Sequence, residues 1–133
     1  MRYLIDSNIW IYYLKRSESP VRAHLARHPV HDIAVCSVIW AELLHGARKY
    51  DDPAAREAKI QTTLSPFASC DFDLASARHY AHIRDDLERG GCIIGNNDLM
   101  IAAIALANDL TVVTNNVDEF SRVPGLRIED WSV

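Results

Sequence analysis

The sequence predicts an α/β fold, an α/β/α sandwich built on a central, mainly parallel sheet of four to five strands. Three observations lead there. Short β-prone apolar runs recur at Tyr3-Leu4-Ile5, Ile33-Ala34-Val35-Cys36 and Leu110-Thr111-Val112-Val113. The first two run directly into polar, helix-starting residues, and helical patterns fill most of the ground between the strands. Strands that alternate with helices pair in parallel through right-handed crossovers, which places helices on both faces of the sheet.

Taking the elements in order, residues 9–14 are too apolar for a loop and too close to the first strand to pair with it, so they form a short helix opened by Ser7 or Asn8. Ser19-Pro20 is a cap followed by a proline at the first helical position, and it starts a second helix that ends near His28-Pro29. After the strand at 33–36, Ser37 caps a helix over 38–46. Asp52-Pro53 repeats the cap-plus-proline signal for a helix to about residue 64, with Pro66 beyond it. Residues 69–72 are a weak strand. Asp73 caps a helix that turns Leu74, Ala77, Ala81 and Leu87 to one side and stops at Gly90-Gly91. Asn96 and Asn97 are caps for an alanine-rich helix over 98–107, whose small side chains require close packing. The strand at 110–114 is broken by Asn115-Asn116, and a turn around residues 118–120 leads to a last strand near 126–128.

The 133 residues are read as one domain, residues 1–133, with a single core and a single site. Charged residues make up 24% and hydrophobic ones 49%, which excludes disorder and low complexity. No stretch approaches the ~20 apolar residues of a membrane span. The N-terminus reads as a strand carrying Asp6 rather than a targeting peptide, so the expected location is the cytoplasm and no membrane partner is expected. Cys36, Cys70 and Cys92 are odd in number and never form a Cys-x-x-Cys pair, which leaves them as small core hydrophobes. A net charge of −4 argues against coating nucleic acid by bulk electrostatics and leaves room for a local basic rim. Lys15, Arg16, Arg48, Lys49, Arg78, Arg84 and Arg89 are its candidates. Trp10, Tyr12 and Tyr13 are core residues first, and base-stacking or dimer-contact residues second.

The informative residues are carboxylates in apolar settings. Asp6 ends the first strand, and an ionised group there is costly to desolvate without a cation or several donors. Ligands in open α/β sheets collect at the carboxyl ends of strands. Glu42 has Val38, Ile39 and Gly46 as its helical neighbours, the side that faces the sheet; the bland reading is a buried ion pair with an arginine. Asp98 has Ile101, Ala102 and Ala105 at three, four and seven residues, and with Asn96 and Asn97 available as caps it is free to point into a site. Asn116, Asp118 and Glu119 crowd the loop after the late strand. Together Asp6, Glu42, Asp98 and one of these late residues form an all-oxygen cluster without His or Cys, which selects Mg²⁺, or Mn²⁺ in its place. Without metal, crowded carboxylates repel and at least one takes up a proton.

Tyr3-Leu-Ile-Asp-Ser-Asn8, Ser37-Val-Ile-Trp-Ala-Glu-Leu43, Gly95-Asn-Asn-Asp-Leu-Met-Ile-Ala-Ala103 and Thr114-Asn-Asn-Val-Asp-Glu-Phe120 resemble, in order and spacing, the motifs of PIN-domain ribonucleases. The tail Arg122-Val-Pro-Gly-Leu-Arg-Ile-Glu-Asp-Trp131 is similar to the VapC toxin branch of that family. The resemblance implies a PIN-like fold and a metal-dependent endoribonuclease of a toxin–antitoxin system. Such a protein hydrolyses RNA, including structured RNA such as tRNA, with metal-activated water, forms a homodimer and is held inactive by a VapB-type antitoxin. By position, Asp6, Glu42 and Asp98 match the family's three core acids. Asn116 stands where many members have an aspartate, and Glu119, three residues on, is the acid that members with that asparagine rely on. Asn116, Ser7 and Arg84 are further candidates to orient ligands or touch substrate, Arg84 alternatively pairing with Glu42 or Asp98.

Other readings compete. A degenerate PIN fold would only bind an antitoxin or nucleic acid. An aspartyl-phosphate phosphatase also places an acid after its first strand, but it wants a second aspartate where Asn8 stands, and a receiver-like site wants a lysine where Asn115 and Asn116 stand. Zinc on His24, His28 and His31, or on His79 and His82, lacks the His-Glu-x-x-His pattern, because Leu25 follows His24.

Overall fold

The computed structural model describes all 133 residues. Five strands, β1 (Tyr3–Ile5), β2 (Ile33–Cys36), β3 (Ala68–Cys70), β4 (Thr111–Val113) and β5 (Ile128–Glu129), lie in the order β3-β2-β1-β4-β5. Every pairing is parallel. The centre is β1, where Leu4 faces Ala34 on one side and Val112 on the other. Every residue of β1, β2 and β4 is buried, so the sheet is covered on both faces.

Seven helices provide that cover: α1 (Ser7–Lys15), α2 (Pro20–Ala26), α3 (Ser37–Ala47), α4 (Pro53–Leu64), α5 (Leu74–Arg89), α6 (Asn96–Ala107) and α7 (Val117–Phe120). Three starts follow the local rules read from the sequence. Ser19 accepts from the Arg22 N–H at 3.2 Å, Asp52 from Ala55 at 3.1 Å and Asp73 from Ser76 at 2.9 Å. The alanine-rich α6 is buried at Leu99 and at residues 101–105, which lets α5 and the sheet approach closely. Trp10 packs in the core with its ring 5.4 Å from that of Phe67. Trp131 closes the far end, 1% exposed, stacked by His24 and His28. Those histidines therefore pack on an indole and do not converge on a metal.

The structure corrects several local expectations. Helix α1 is capped by Asp6 itself, α3 begins at Ser37 after an uncapped Cys36, and α6 begins after Gly95 with Asn96 and Asn97 inside its first turn. Strand β3 spans 68–70 rather than 69–72 and buries only Cys70, as an edge strand does. The buried stripe of α5 is Ser76, Ile83 and Leu87, while Leu74 is 66% exposed. The reason is the cap: the Ser76 hydroxyl also donates to Asp73 at 2.9 Å, and that turns the small residue inward. Cys36 and Cys70 are buried, but Cys92 is exposed. Burial pushes the Cys36 thiol up to about 12, so it stays protonated.

Candidate active site

Parallel pairing brings the carboxyl ends of β1 and β4 side by side, and the Asp6 N–H continues the ladder by donating to the Val113 carbonyl at 2.9 Å. Asp6 is 3% exposed. Its Oδ1 accepts from the Ser7 N–H at 2.8 Å and its Oδ2 from the Thr114 hydroxyl at 2.8 Å. Thr114 is completely buried and accepts in turn from the Asn116 N–H at 3.0 Å. Donors therefore meet Asp6, as its position demanded. Burial nevertheless raises its pKa, with the Glu42 charge adding to the rise against the hydrogen bonds from Thr114 and Ser7.

The other acids gather at this point from three further elements. Glu42, half-buried on α3, accepts from the Ser7 hydroxyl at 3.1 Å and from Asn97 Nδ2 at 3.4 Å. It does not meet an arginine. Asp98, half-buried in the first turn of α6, accepts from Asn116 Nδ2 at 3.0 Å. The same amide nitrogen donates to Glu119 on α7, whose second oxygen accepts from the Gly95 N–H at 3.3 Å. Asn116 thus bridges Asp98 and Glu119. Burial first, then a proton shared with Glu119 and repulsion from Asp6, Glu119 and Glu42, push Asp98 up to about 7. Glu119 is held low by that shared proton and by Asn116.

Ser7 and Asn116 sit among the acids as donors. Arg84 does not: it donates to Glu88 at 2.8 Å and to the Tyr80 hydroxyl at 2.8 Å, on the rim of a cavity of about 280 Å³ that Asn96 shares. An i,i+4 partner on its own helix outcompetes the distant acids. Asp118 is exposed. Three contributors are not visible in the sequence: the Thr114 hydroxyl, the Asn97 amide and the Gly95 N–H. The available signal for Thr114 was a hydroxyl at the end of an apolar strand adjacent to the strand that ends in Asp6.

As the side chains stand, no three His, Cys, Asp or Glu groups close into a ready-made metal cage. The donor set still fits a hard divalent cation. It is all oxygen and no lysine, arginine or histidine pairs with it, and Mg²⁺ characteristically takes one or two carboxylates and completes its shell with waters and substrate phosphate.

A family profile for the PIN domain matches residues 3–126. The chain belongs to the PIN-domain family. Within it, the chain is 38% identical to the tRNA(fMet)-specific endonuclease VapC of Shigella flexneri, over 99% of both chains. It is 36% identical to ribonuclease VapC2 of Rickettsia felis over 98% of both. Among solved structures, the DNA-bound VapBC of Salmonella typhimurium superposes with a TM-score of 0.92, at 34% identity and 98% coverage of each chain. These full-length likenesses place this PIN domain on the VapC branch, and they bear out the expected α/β architecture.

Proposed function

We propose that this PIN domain, residues 1–133, is the toxin of a VapBC-type toxin–antitoxin pair, a divalent-metal-dependent endoribonuclease that hydrolyses RNA phosphodiesters. The observation that carries this reading is the convergence of Asp6, Glu42, Asp98 and Glu119 at the ends of β1 and β4 with no ion pair to any lysine or arginine. The relatives' names supply the substrate class: ribonuclease for one and tRNA(fMet) for another.

Asp6, Asp98, Glu42 and Glu119 would hold Mg²⁺, with Mn²⁺ as a substitute. When bound, such an ion supplies an activated water and neutralises charge developing on the phosphate. The chain's own residues fix the geometry. Thr114 and the Ser7 N–H hold the Asp6 carboxylate in one orientation, Ser7 and Asn97 hold Glu42, and Asn116 keeps Asp98 and Glu119 together. Burial and the neighbouring acids raise Asp98, so it holds a proton more readily than a free carboxylate, and a bound cation would favour its charged form. No protein nucleophile is required. Asp6 is poorly placed to be one, because both of its oxygens already accept hydrogen bonds within a buried setting, and this weighs against the aspartyl-phosphate reading.

A VapB-type antitoxin is the proposed partner, since the similar Salmonella structure is a VapBC assembly; a homodimer and a cytoplasmic location complete the proposal. No helix is long and apolar enough to cross a membrane. The test is to incubate the antitoxin-free chain with tRNA(fMet) and other structured RNAs in Mg²⁺, Mn²⁺ or chelator, beside Asp6→Asn and Asp98→Asn. Metal-dependent cutting that both substitutions abolish is the expected result. Cutting that survives chelation, or a stable phosphoryl group on Asp6, would overturn the proposal. Antitoxin binding without any cutting would favour the degenerate fold.

A further inference from the structure

A second cavity, of about 300 Å³, opens beside Glu42 and is lined by Ala41, Glu42, His45, Gly46, Lys49 and Asn97. Glu42, His45 and Gly46 follow helical spacing on one side of α3, and the chain turns on past the helix end, where the Lys49 N–H donates to the Gly46 carbonyl at 3.1 Å. Glu42, His45 and Lys49 line this one cavity together. Asn97 also lines it, and its amide donates to Glu42. Gly46 lines it too, and an added Cβ there would meet nothing within 4 Å.

Lys49 stands apart from the other cations near cavities. Arg84 is paired with Glu88, Arg22 donates to main-chain carbonyls and Arg56 lies over the Tyr50 ring at 4.3 Å. Arg78 lines a surface groove with His79 and His82 that contains no carboxylate. Lys49 makes no side-chain hydrogen bond or ion pair, although Glu42 lies in the same cavity. The cavity is polar, and its only other group able to carry positive charge is His45. A net charge of −4 and four converging carboxylates repel a polyanion, so a strand held at the acids needs local cations for its flanking phosphates. Lys49 lies two residues beyond the end of α3 and lines the cavity that begins at Glu42, so it is offset from the acid cluster rather than part of it. That offset suits a phosphate next to the one held at the acids.

We propose that the Glu42–Gly46–Lys49 cavity is a subsite for an RNA backbone phosphate flanking the bond that is cut, with Lys49 as its main cation and His45 beside it. This inference rests on the nuclease reading of the acid cluster. A plain alternative is that Lys49 and His45 only complement the dipole at the end of α3, which requires no ligand.

The experiment measures kcat and KM for tRNA(fMet) across a KCl series with Mg²⁺ present, for the parent chain, Lys49→Ala, Lys49→Arg and Gly46→Gln. Anisotropy of the same labelled RNA on an Asp6→Asn background measures binding without cutting. Lys49→Ala is expected to raise KM and the dissociation constant several-fold, leave kcat within about twofold, and flatten the salt slope by roughly one. Lys49→Arg restores most of the affinity, and Gly46→Gln weakens binding by projecting into the cavity while its melting profile stays parental. Parental KM and salt slope in Lys49→Ala, with the parent cutting normally, would overturn the subsite and leave the nuclease reading intact. A Lys49→Ala effect confined to antitoxin inhibition would also overturn it, because it would assign the lysine to an acidic peptide. A parent that neither binds nor cuts RNA would overturn both proposals.

Discussion

Helices α4 and α6 are each twelve residues long and each begins beside polar residues, yet the two starts are wired differently. At α4, Asp52 spends its side chain on the N–H of Ala55, three residues away, and Pro53 sets the first turn. At α6, Gly95 offers no side-chain cap, and the polar groups of the first turn reach across the molecule. Asn97 goes to Glu42, Asp98 receives Asn116, and Asn96 accepts from Tyr80 at 3.4 Å. A polar residue satisfied within its own turn builds the fold. One whose partners lie 16 to 55 residues away has been recruited to something else.

Asp6 combines both modes, since it caps α1 through Oδ1 and meets Thr114 through Oδ2. Asparagine caps helices about as well as aspartate. Asp6→Asn should therefore keep its melting midpoint within a few degrees while RNA cutting falls by at least ~100-fold, more than the loss of an orienting partner costs. An unfolded variant would show that the cap was its main role. Thr114→Val comes next: it removes the hydroxyl that orients Asp6 and leaves the Asn116 N–H without its acceptor. Metal affinity or cutting should drop by roughly 10–100-fold, and urea unfolding should show a loss of ~1–3 kcal/mol.

The pH dependence sharpens the contrast without mutation. Asp98 moves from an ordinary 3.8 to about 7 in the folded chain, so between those values the folded state keeps a proton that the unfolded chain has released. Stability without metal must then fall as pH rises through that window and level off above it. The raised Asp6 acts in the same direction, and the lowered Glu119 opposes it. Thermal midpoints in chelator should decline from about pH 5 to about pH 7.5, and saturating Mg²⁺ should flatten the decline and raise the midpoint by favouring the folded form. A midpoint indifferent to both pH and Mg²⁺ would remove the cation from the account. The smallest effect belongs to the locally wired helix: Asp52→Ala should cost about 1 kcal/mol in denaturant titration and leave RNA cutting unchanged.

This distinction also explains which features were legible in the sequence. Strand β2, the caps Ser19, Asp52 and Asp73, and the alternation that produces a parallel sheet all follow from neighbours a few residues apart, and they were readable. Asp6, Glu42 and Asp98 were readable for a different reason, as charges placed where apolar residues belong. The Thr114 hydroxyl, the Asn97 amide and the Gly95 N–H were not, because each acquires its partner only when distant segments meet. The face of α5 was misjudged for a local cause: small residues at 77 and 81 offered no contrast in size to Ser76, whose cap bond decided the matter. Arg84 does not pair with Glu42 or Asp98 because an acid four residues on is nearer than any acid across a cavity.

The position of β1 between β2 and β4 has a consequence for how the chain comes to life. Its first neighbour is available once about a quarter of the sequence exists, but its second spans residues 111–113, and the Thr114 that orients Asp6 lies 108 residues downstream. Contacts of such separation form slowly, and domains generally fold as units as they leave the ribosome. A growing or prematurely terminated polypeptide therefore carries an open sheet edge and less than the full set of acids. Glu119 and the closing strand are the last of these pieces to be made, so the four-acid cluster can assemble only when nearly nine-tenths of the sequence exists.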